Sequence, residues 1–288
     1  MANSIALFKK YVDMLDEVYQ NAGKSAVLES DATLARAGAN ANEIIIPKLS
    51  MDGLADYSRN GGYVGGDVTL TNETVQFNFD RGRAFTVDAM DNEETAGIAF
   101  GKLSAEFIRT KVVPELDAFR FATYATKAGT KLNTQTLSNG NDVLSALVTA
   151  QSKLDDDEVP EEGRILFILP EHYNAVDAVD TTKSREVLNS FSQIVKVPSA
   201  RFYTAIEQKD GTSSGEEAGG FAPASGAKGI NFLIVEKSAV MQYTKHNVSK
   251  AISPDENQEA DAWKFFFRSY GLADVYDNKT AGIYVNTK

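Results

Sequence analysis

Ser213 is the residue whose setting most resembles a nucleophile's. Gly211-Thr212-Ser213-Ser214-Gly215 has the G-x-S-x-G spacing of a nucleophile elbow. That chemistry needs an apolar strand before the serine and a helix after it, so that a strained turn holds the hydroxyl outward. Here Glu207, Gln208, Lys209 and Asp210 precede it and glycines follow, which reads as a Ser/Gly-rich surface loop. Gly23-Lys24-Ser25 imitates the end of a phosphate-binding loop. The first glycine of that motif would fall at Val18, and a helical pattern stands where the apolar strand should be. The two histidines, His172 and His246, fall at a helix start and in a polar stretch, and both read as surface residues. Asp155-Asp156-Asp157-Glu158 reads as a solvated helix end rather than a cation site. Neither H-E-x-x-H nor G-x-G-x-x-G occurs. Asn72, Asn247 and Asn278 open N-x-[ST] triplets, but MANSIALFKK lacks the layout of a secretion signal. The residues therefore predict no catalytic group, no metal site and no cofactor.

Composition narrows the field further. The chain has no cysteine, which excludes disulfides, thiolate metal sites and cysteine nucleophiles. With 40 acidic and 29 basic residues the net charge is −11, and no basic cluster offsets it, so a nucleic-acid-coating role is disfavoured by repulsion from phosphate. No apolar run is long enough for a membrane-spanning helix. A length of 288 residues suggests two domains, and the expected setting is a cytoplasmic one.

The elements that position these residues follow an unusual order. Ile5, Phe8, Val12, Leu15 and Tyr19 lie on one helical face. Gly23 to Asn42 is small and polar, as in an arm ordered by a partner. Glu43 to Leu49 reads as a strand, with Pro47 at an edge. Five glycines between Asp52 and Asp67 suit a loop tip. Val75, Phe77 and Phe79 alternate, as do Phe85, Val87 and Ala89 after a turn expected at Asp80-Arg81-Gly82-Arg83. Pro47 to Met90 is thus a long β-excursion, and a two-stranded ribbon is marginal in water unless it lies on something. A helix is expected from Asn92 to Ala128, opened by a capping box at Asp91 and Glu94 and interrupted at Pro114. After Asn141 the pattern is α/β. Ile165 to Leu169 and Ile230 to Val235 are buried strands, Phe202 to Ile206 is a further strand, Lys209 to Gly220 is a loop, and Ser238 to Tyr243 starts a helix. Trp263, Phe265 and Phe267 alternate with polar residues, and Ala281 to Asn286 forms a final strand.

An arm, a ribbon and a long helix flanking an α/β core make poor sense in a monomer and suit a self-assembling subunit. This order resembles the major capsid protein of tailed bacteriophages, the Hong Kong 97-like fold, in particular those of phages of Gram-positive hosts. The resemblance rests on Tyr57, Arg59, Gly62 and Tyr63 at the loop tip and on Asp80, Arg81, Gly82, Arg83 and Phe85 in the return strand. Val197-Pro198 with Arg201-Phe202, and the ending Trp263 through Arg268-Ser269-Tyr270 to Asn278-Lys279 and Gly282-Ile283-Tyr284, also match.

The resemblance implies an α+β fold with an N-terminal arm over 1–46, an extended β-loop over 47–90, a peripheral domain with a spine helix over 91–140 and 254–288, and an α/β axial domain over 141–253. It implies a structural, non-enzymatic role in a virion. Copies would form pentamers and hexamers of an icosahedral shell around double-stranded DNA, without sequence-specific binding, assembled in the host bacterial cytoplasm. Portal and decoration proteins are implied partners, with a separate scaffolding protein or none. The inter-subunit contacts are expected at Tyr57, Arg59, Tyr63, Val75, Phe77, Phe79, Arg81, Arg83, Phe85 and Val87. A few members join a loop lysine to a neighbour's asparagine, and no lysine occurs between Leu49 and Met90. The rival readings are an encapsulin-like nanocompartment shell and a soluble serine hydrolase using Ser213.

Overall fold

A computed structural model describes residues 23–30, 36–37, 43–94, 98–132, 135–179 and 182–288. The amphipathic stretch Ile5–Tyr19 lies outside the described residues. The chain first builds a ribbon. Strand β1 (Arg36–Ala37) touches β2 (Glu43–Met51) only at Ile44 and Ile45, and β2 pairs antiparallel with β3 (Val68–Gln76) along its whole length. Pro47 sits beyond the short stretch of β2 that pairs with β1, opposite Asn72 of β3.

Strand β4 (Phe79–Asp88) corrects the turn expected at residues 80–83. It is continuous and pairs with β12 (Ala262–Val275) from Phe79↔Gly271 to Asp88↔Ala262. The bend falls at Phe77–Asn78, where the Asn78 side chain donates to the Ala273 carbonyl (2.8 Å) and accepts from the Ala273 N–H (3.1 Å). Gly82 serves close strand approach instead: a Cβ there would stand 2.7 Å from the Phe267 carbonyl oxygen.

Helix α1 (Ala89–Glu94) starts earlier than the capping box predicts. Asp88 accepts from the Met90 N–H at 2.9 Å, and Asp91 falls inside the first turn. Helix α2 (Ile98–Phe107), a π-turn (Ile108–Val112) and α3 (Val113–Lys127) then run without a break for about 45 Å at 1.5 Å per residue. The interruption expected at Pro114 takes the form of that π-turn. A wider turn just before proline accommodates the lost hydrogen bond and the ring's clash with the preceding turn.

The α/β unit contains β5 (Thr130–Leu132), α4 (Gly140–Asp156), β6 (Arg164–Ile168), α5 (Pro170–Asp177), α6 (Thr182–Asn189), β7 (Gln193–Lys196), β8 (Ile206–Gln208), β9 (Phe221–Pro223) and β10 (Ile230–Glu236). Its five-stranded sheet has the order β5-β13-β10-β6-β7, where β13 is Ile283–Thr287. The sheet is buried on both faces. Ile165, Phe167, Leu233 and Val235 face α3 through Phe121 and Tyr124. Leu166, Ile168, Phe232 and Ile234 face α4 through Val143, Leu147 and Leu154. A separate three-stranded sheet has the order β11-β12-β4, with β11 spanning Val240–Ile252. Phe265 and Phe267 of this sheet lie against Ile108, Val112 and Val113.

Three sequence expectations change here. Val240–Ile252 is a strand where a helix start was expected at Ser238; a 3-10 turn at Lys237–Ala239 precedes it. Phe202 closes a 3-10 turn, and the strand begins only at Ile206. The strand pairings also cross the expected divisions of the chain. β11, placed with the axial domain, pairs with β12, and β13, placed with the peripheral domain, pairs with β10. Hydrophobic runs show that segments are buried, but they do not say which sheet receives them.

Candidate assembly surface

The residues that imitate catalysis are used structurally. Ser213 Oγ and N–H and the Thr212 N–H all bond the Asp210 carboxylate, which holds that carboxyl well below the usual range and closes an exposed turn. In the Gly23-Lys24-Ser25 triplet, the Lys24 N–H, the Ser25 N–H and the Ser25 hydroxyl bind the buried Asp117 carboxylate at 2.9, 3.0 and 2.7 Å. Arg201 completes that site at 2.9 Å. The motif thus binds an anion, but the anion is the chain's own and anchors the arm to α3. His172, expected on the surface, is buried, because α5 lies over the sheet and brings its Nε2 within 3.1 Å of Asn231 Oδ1 on β10. His246 is exposed on β11. In the acidic run, Asp155 pairs with Arg164 and Asp157 with Lys153, both at 2.7 Å. Among the described residues no three His, Asp or Glu side chains gather as a metal site.

The expected contact residues divide into two sets. Tyr57, Arg59 and Tyr63 stand exposed at the ribbon tip, with Tyr63 91% exposed. The Tyr57 and Tyr63 rings lie 4.9 Å apart across a turn closed by Ser58 and Gly62, and Gly62 takes φ +76°, which glycine adopts freely. The Asp67 N–H donates to Asp52 at 2.8 Å and joins the base of the tip.

The second set makes contacts within its own subunit, and of these side chains Val75 and Phe79 are buried. Val75 (7% exposed) meets Ile44, Met241, Tyr243 and Leu272, and Phe79 (4% exposed) meets Phe119 at 5.1 Å. Phe77 stacks on Tyr270 at 4.9 Å with the Lys245 ammonium 4.8 Å from its centroid. Phe85 meets Phe107 edge-on at 4.7 Å, and Val87 is half-buried. Arg81 bonds Glu115 on α3 (2.7 Å) and the Lys209 carbonyl (2.7 Å), and Arg83 donates to the Glu217 carbonyl (3.0 Å). The acidic and carbonyl partners of both arginines are thus intramolecular. Beside them, Asp80 and Arg268 form a bidentate pair at 2.7 and 2.9 Å that lowers the Asp80 pKa.

Among the described residues, one face of the ribbon is apolar and exposed. Leu49 stands opposite Leu70, and Met51 opposite Val68, so all four project from the same side, and all are exposed. Ser50 opposite Thr69 occupies the other side. Leu54 and Val64 extend the apolar face into the tip. The alternation Leu49-x-Met51 and Val68-x-Leu70 signals this face in the sequence, and the reading overlooked it in favour of the larger aromatics that follow. A ribbon with one apolar face left exposed by the described residues suits contact with another molecule.

A cleft of about 590 Å³ lies at the ribbon's root, between β4, the α2–α3 helix and the 209–220 loop. Phe79, Phe85, Leu103, Phe107, Val112 and Phe267 form its apolar lining.

No family model matches this chain, and no curated protein is similar to it in sequence. Solved structures are similar in fold. A protein of Mycobacterium phage Adephagia matches with a TM-score of 0.59 at 12% identity, over 92% of this chain and 89% of that one. The asymmetric unit of the bacteriophage PhiM1 mature capsid matches with a TM-score of 0.58 at 8% identity, over 86% and 82%. A virus-like particle from Pyrococcus furiosus matches with a TM-score of 0.56 at 10% identity, over 97% and 98%.

Proposed function

We propose, on the premise of a Hong Kong 97-like α+β fold shared with phage capsid chains, that this protein is the shell-forming subunit of a tailed phage. One observation carries the reading: the apolar face of the β2–β3 ribbon (Leu49, Met51, Val68, Leu70) stands exposed among the described residues, outside the subunit's buried clusters. Full burial of such a side chain is worth roughly 1.5–3 kcal/mol, so covering four of them on a neighbour supplies a substantial driving force. Copies would join as pentamers and hexamers of an icosahedral shell enclosing double-stranded DNA. The formal charge of −11 suits a container that must not grip its contents. We assign residues 1–46 to the arm and 47 to about 78 to the extended loop. β4, the α1–α3 helices, β11 and β12 form the peripheral domain, and the five-stranded sheet with α4–α6 forms the axial domain. The subunit would be structural and non-enzymatic, assembled in the bacterial cytoplasm with scaffolding, portal and decoration proteins as candidate partners.

The full-length match to the Pyrococcus particle favours one second reading, a closed protein compartment without a genome. Negative-stain microscopy and sedimentation of the purified chain test both. Rings, tubes or closed shells are the expected result. A sharp monomer peak at high concentration, with no particles under crowding or with scaffold, overturns the reading. The nucleic-acid content of particles from infected cells separates genome container from compartment.

A further inference from the structure

We infer that Asn60 is a site of spontaneous covalent modification: its side-chain amide converts to an acid through attack by the Gly61 backbone nitrogen, while the same dipeptide at Asn139-Gly140 stays intact. This chemistry holds whether or not the chain forms a shell.

Asn-Gly suits the reaction because glycine has no side chain to shield its nitrogen and its backbone turns freely. The chain contains the dipeptide twice. Asn60-Gly61 lies in the ribbon-tip turn closed by Ser58 and Gly62, and both residues are exposed. The Gly61 N–H donates to the Ser58 hydroxyl at 3.1 Å, a side chain of the same turn rather than a strand ladder. Among the described residues no hydrogen bond holds the Asn60 side chain. Asn139 is exposed too, so exposure does not separate the two. Its side-chain oxygen, however, accepts from the Asp142 N–H at 3.0 Å and caps α4. Gly140 is pressed against α5: a Cβ there would stand 2.1 Å from the Ala175 carbonyl oxygen. Ring closure at Asn139 would break the cap and shift the first peptide of a packed helix.

The reaction has two steps. The Gly61 nitrogen loses its proton to solvent base and bonds the Asn60 side-chain carbonyl carbon; the bond to the side-chain nitrogen breaks, and ammonia leaves. One water then opens the cyclic imide. Opening at the side-chain carbonyl leaves aspartate at position 60. Opening at the main-chain carbonyl leaves isoaspartate, with the chain running through the former side chain. The sum is amide plus water to carboxylate plus ammonium, with no oxidant or reductant. Either product adds a carboxylate to a tip that carries Asp52, Asp56 and Asp67 against Arg59, so the charge of this exposed segment changes with age.

The test uses the full-length folded chain, held for several days at mildly alkaline pH and physiological temperature, then digested at acidic pH, where the reaction stops. Mass spectrometry reads amide-to-acid conversion in the peptides bearing residues 60 and 139, and enzymatic methylation reads isoaspartate. Conversion at Asn60 should exceed that at Asn139 by roughly tenfold or more, since ring closure depends on how the reacting atoms are placed. A parallel sample unfolded in urea should convert both sites at similar rates. Gly61→Ala should slow conversion at Asn60 by a similar factor while keeping the turn, because a Cβ there meets Ser58 only at 3.5 Å, an ordinary contact, and Gly61 does not take a left-handed φ. Four results overturn the assignment: an Asn60 that stays an amide, equal conversion at both sites in the folded chain, faster conversion at Asn139, or a Gly61→Ala chain that converts as fast as the parent.

Discussion

Arg81 joins three parts of the molecule. Its guanidinium bonds Glu115 on the long helix at 2.7 Å and, through Nη2, the Lys209 and Gly220 carbonyls at both ends of the 209–220 loop, at 2.7 and 3.4 Å. Only a planar fork with several donors can serve a carboxylate and two carbonyls at once. The site is mostly buried, so Arg81→Ala leaves Glu115 with an unpaired charge and two carbonyls short of a donor. We expect it to destabilise the folded subunit by about 2–3 kcal/mol. Arg81→Lys keeps the charge but cannot span the three acceptors, and should recover less than half of that loss. Urea unfolding of the unassembled subunit measures both. A change below about 0.5 kcal/mol for Arg81→Ala would mean that the root of the ribbon is held by its aromatic contacts alone.

The β2–β3 ribbon shows where an element's purpose could be read from sequence and where it could not. The apolar run Glu43–Leu49 located β2, the alternation from Val75 met only the end of β3, and the five glycines located the tip, because those patterns are local. The burial of Ile165–Leu169 and Ile230–Val235 was equally legible, since continuous apolar runs bounded by turn signals have few other uses. The partners of Val75 and Phe79 were not legible. They come from Met241, Tyr243, Leu272 and Phe119, more than 30 positions away, and no spacing rule reaches that far. Gly82 was misread for the same reason: inside Asp-Arg-Gly-Arg it looks like a turn, and only the Phe267 carbonyl on the neighbouring strand explains it. These placements define which part of the ribbon can be removed. Lys48 and Thr71 face each other across it, so residues 49–70 can be replaced by Asn-Gly, a two-residue hairpin turn. Every side chain that closes the subunit's own cores is retained. The excised subunit should stay folded, with stability within about 1 kcal/mol of the parent, and form no closed shells. Normal shells from this variant would move the assembly contacts elsewhere. A longer excision that also takes Val75 to Phe79 should instead unfold the peripheral sheet.

At the scale of the whole molecule, the chain leaves the α/β unit after β10, builds β11 and β12 beside β4, and returns as β13. The two sheets are thereby threaded through each other, and the long helix lies across both, with Phe121 and Tyr124 in one core and Ile108 and Val112 in the other. Under the proposed shell role, the strength of a shell comes from contacts between copies. Between Leu49 and Met90 the chain offers those contacts no amine for a covalent link. An isopeptide bond needs an amine as nucleophile, and between Leu49 and Met90 the basic residues are Arg59, Arg81 and Arg83. A guanidinium stays protonated at any pH a shell would meet, and it is not a competent nucleophile there. Nor can disulfides staple neighbours, since there is no cysteine. Mature particles should therefore separate completely into single chains of 31.3 kDa in hot detergent without reductant. Their resistance to denaturant should depend on salt and on the apolar ribbon face, as expected for non-covalent contacts. A ladder of dimers, pentamers and hexamers on a denaturing gel would show that a lysine outside residues 49–90 supplies the amine. Peptide mass spectrometry of the rungs would then identify it.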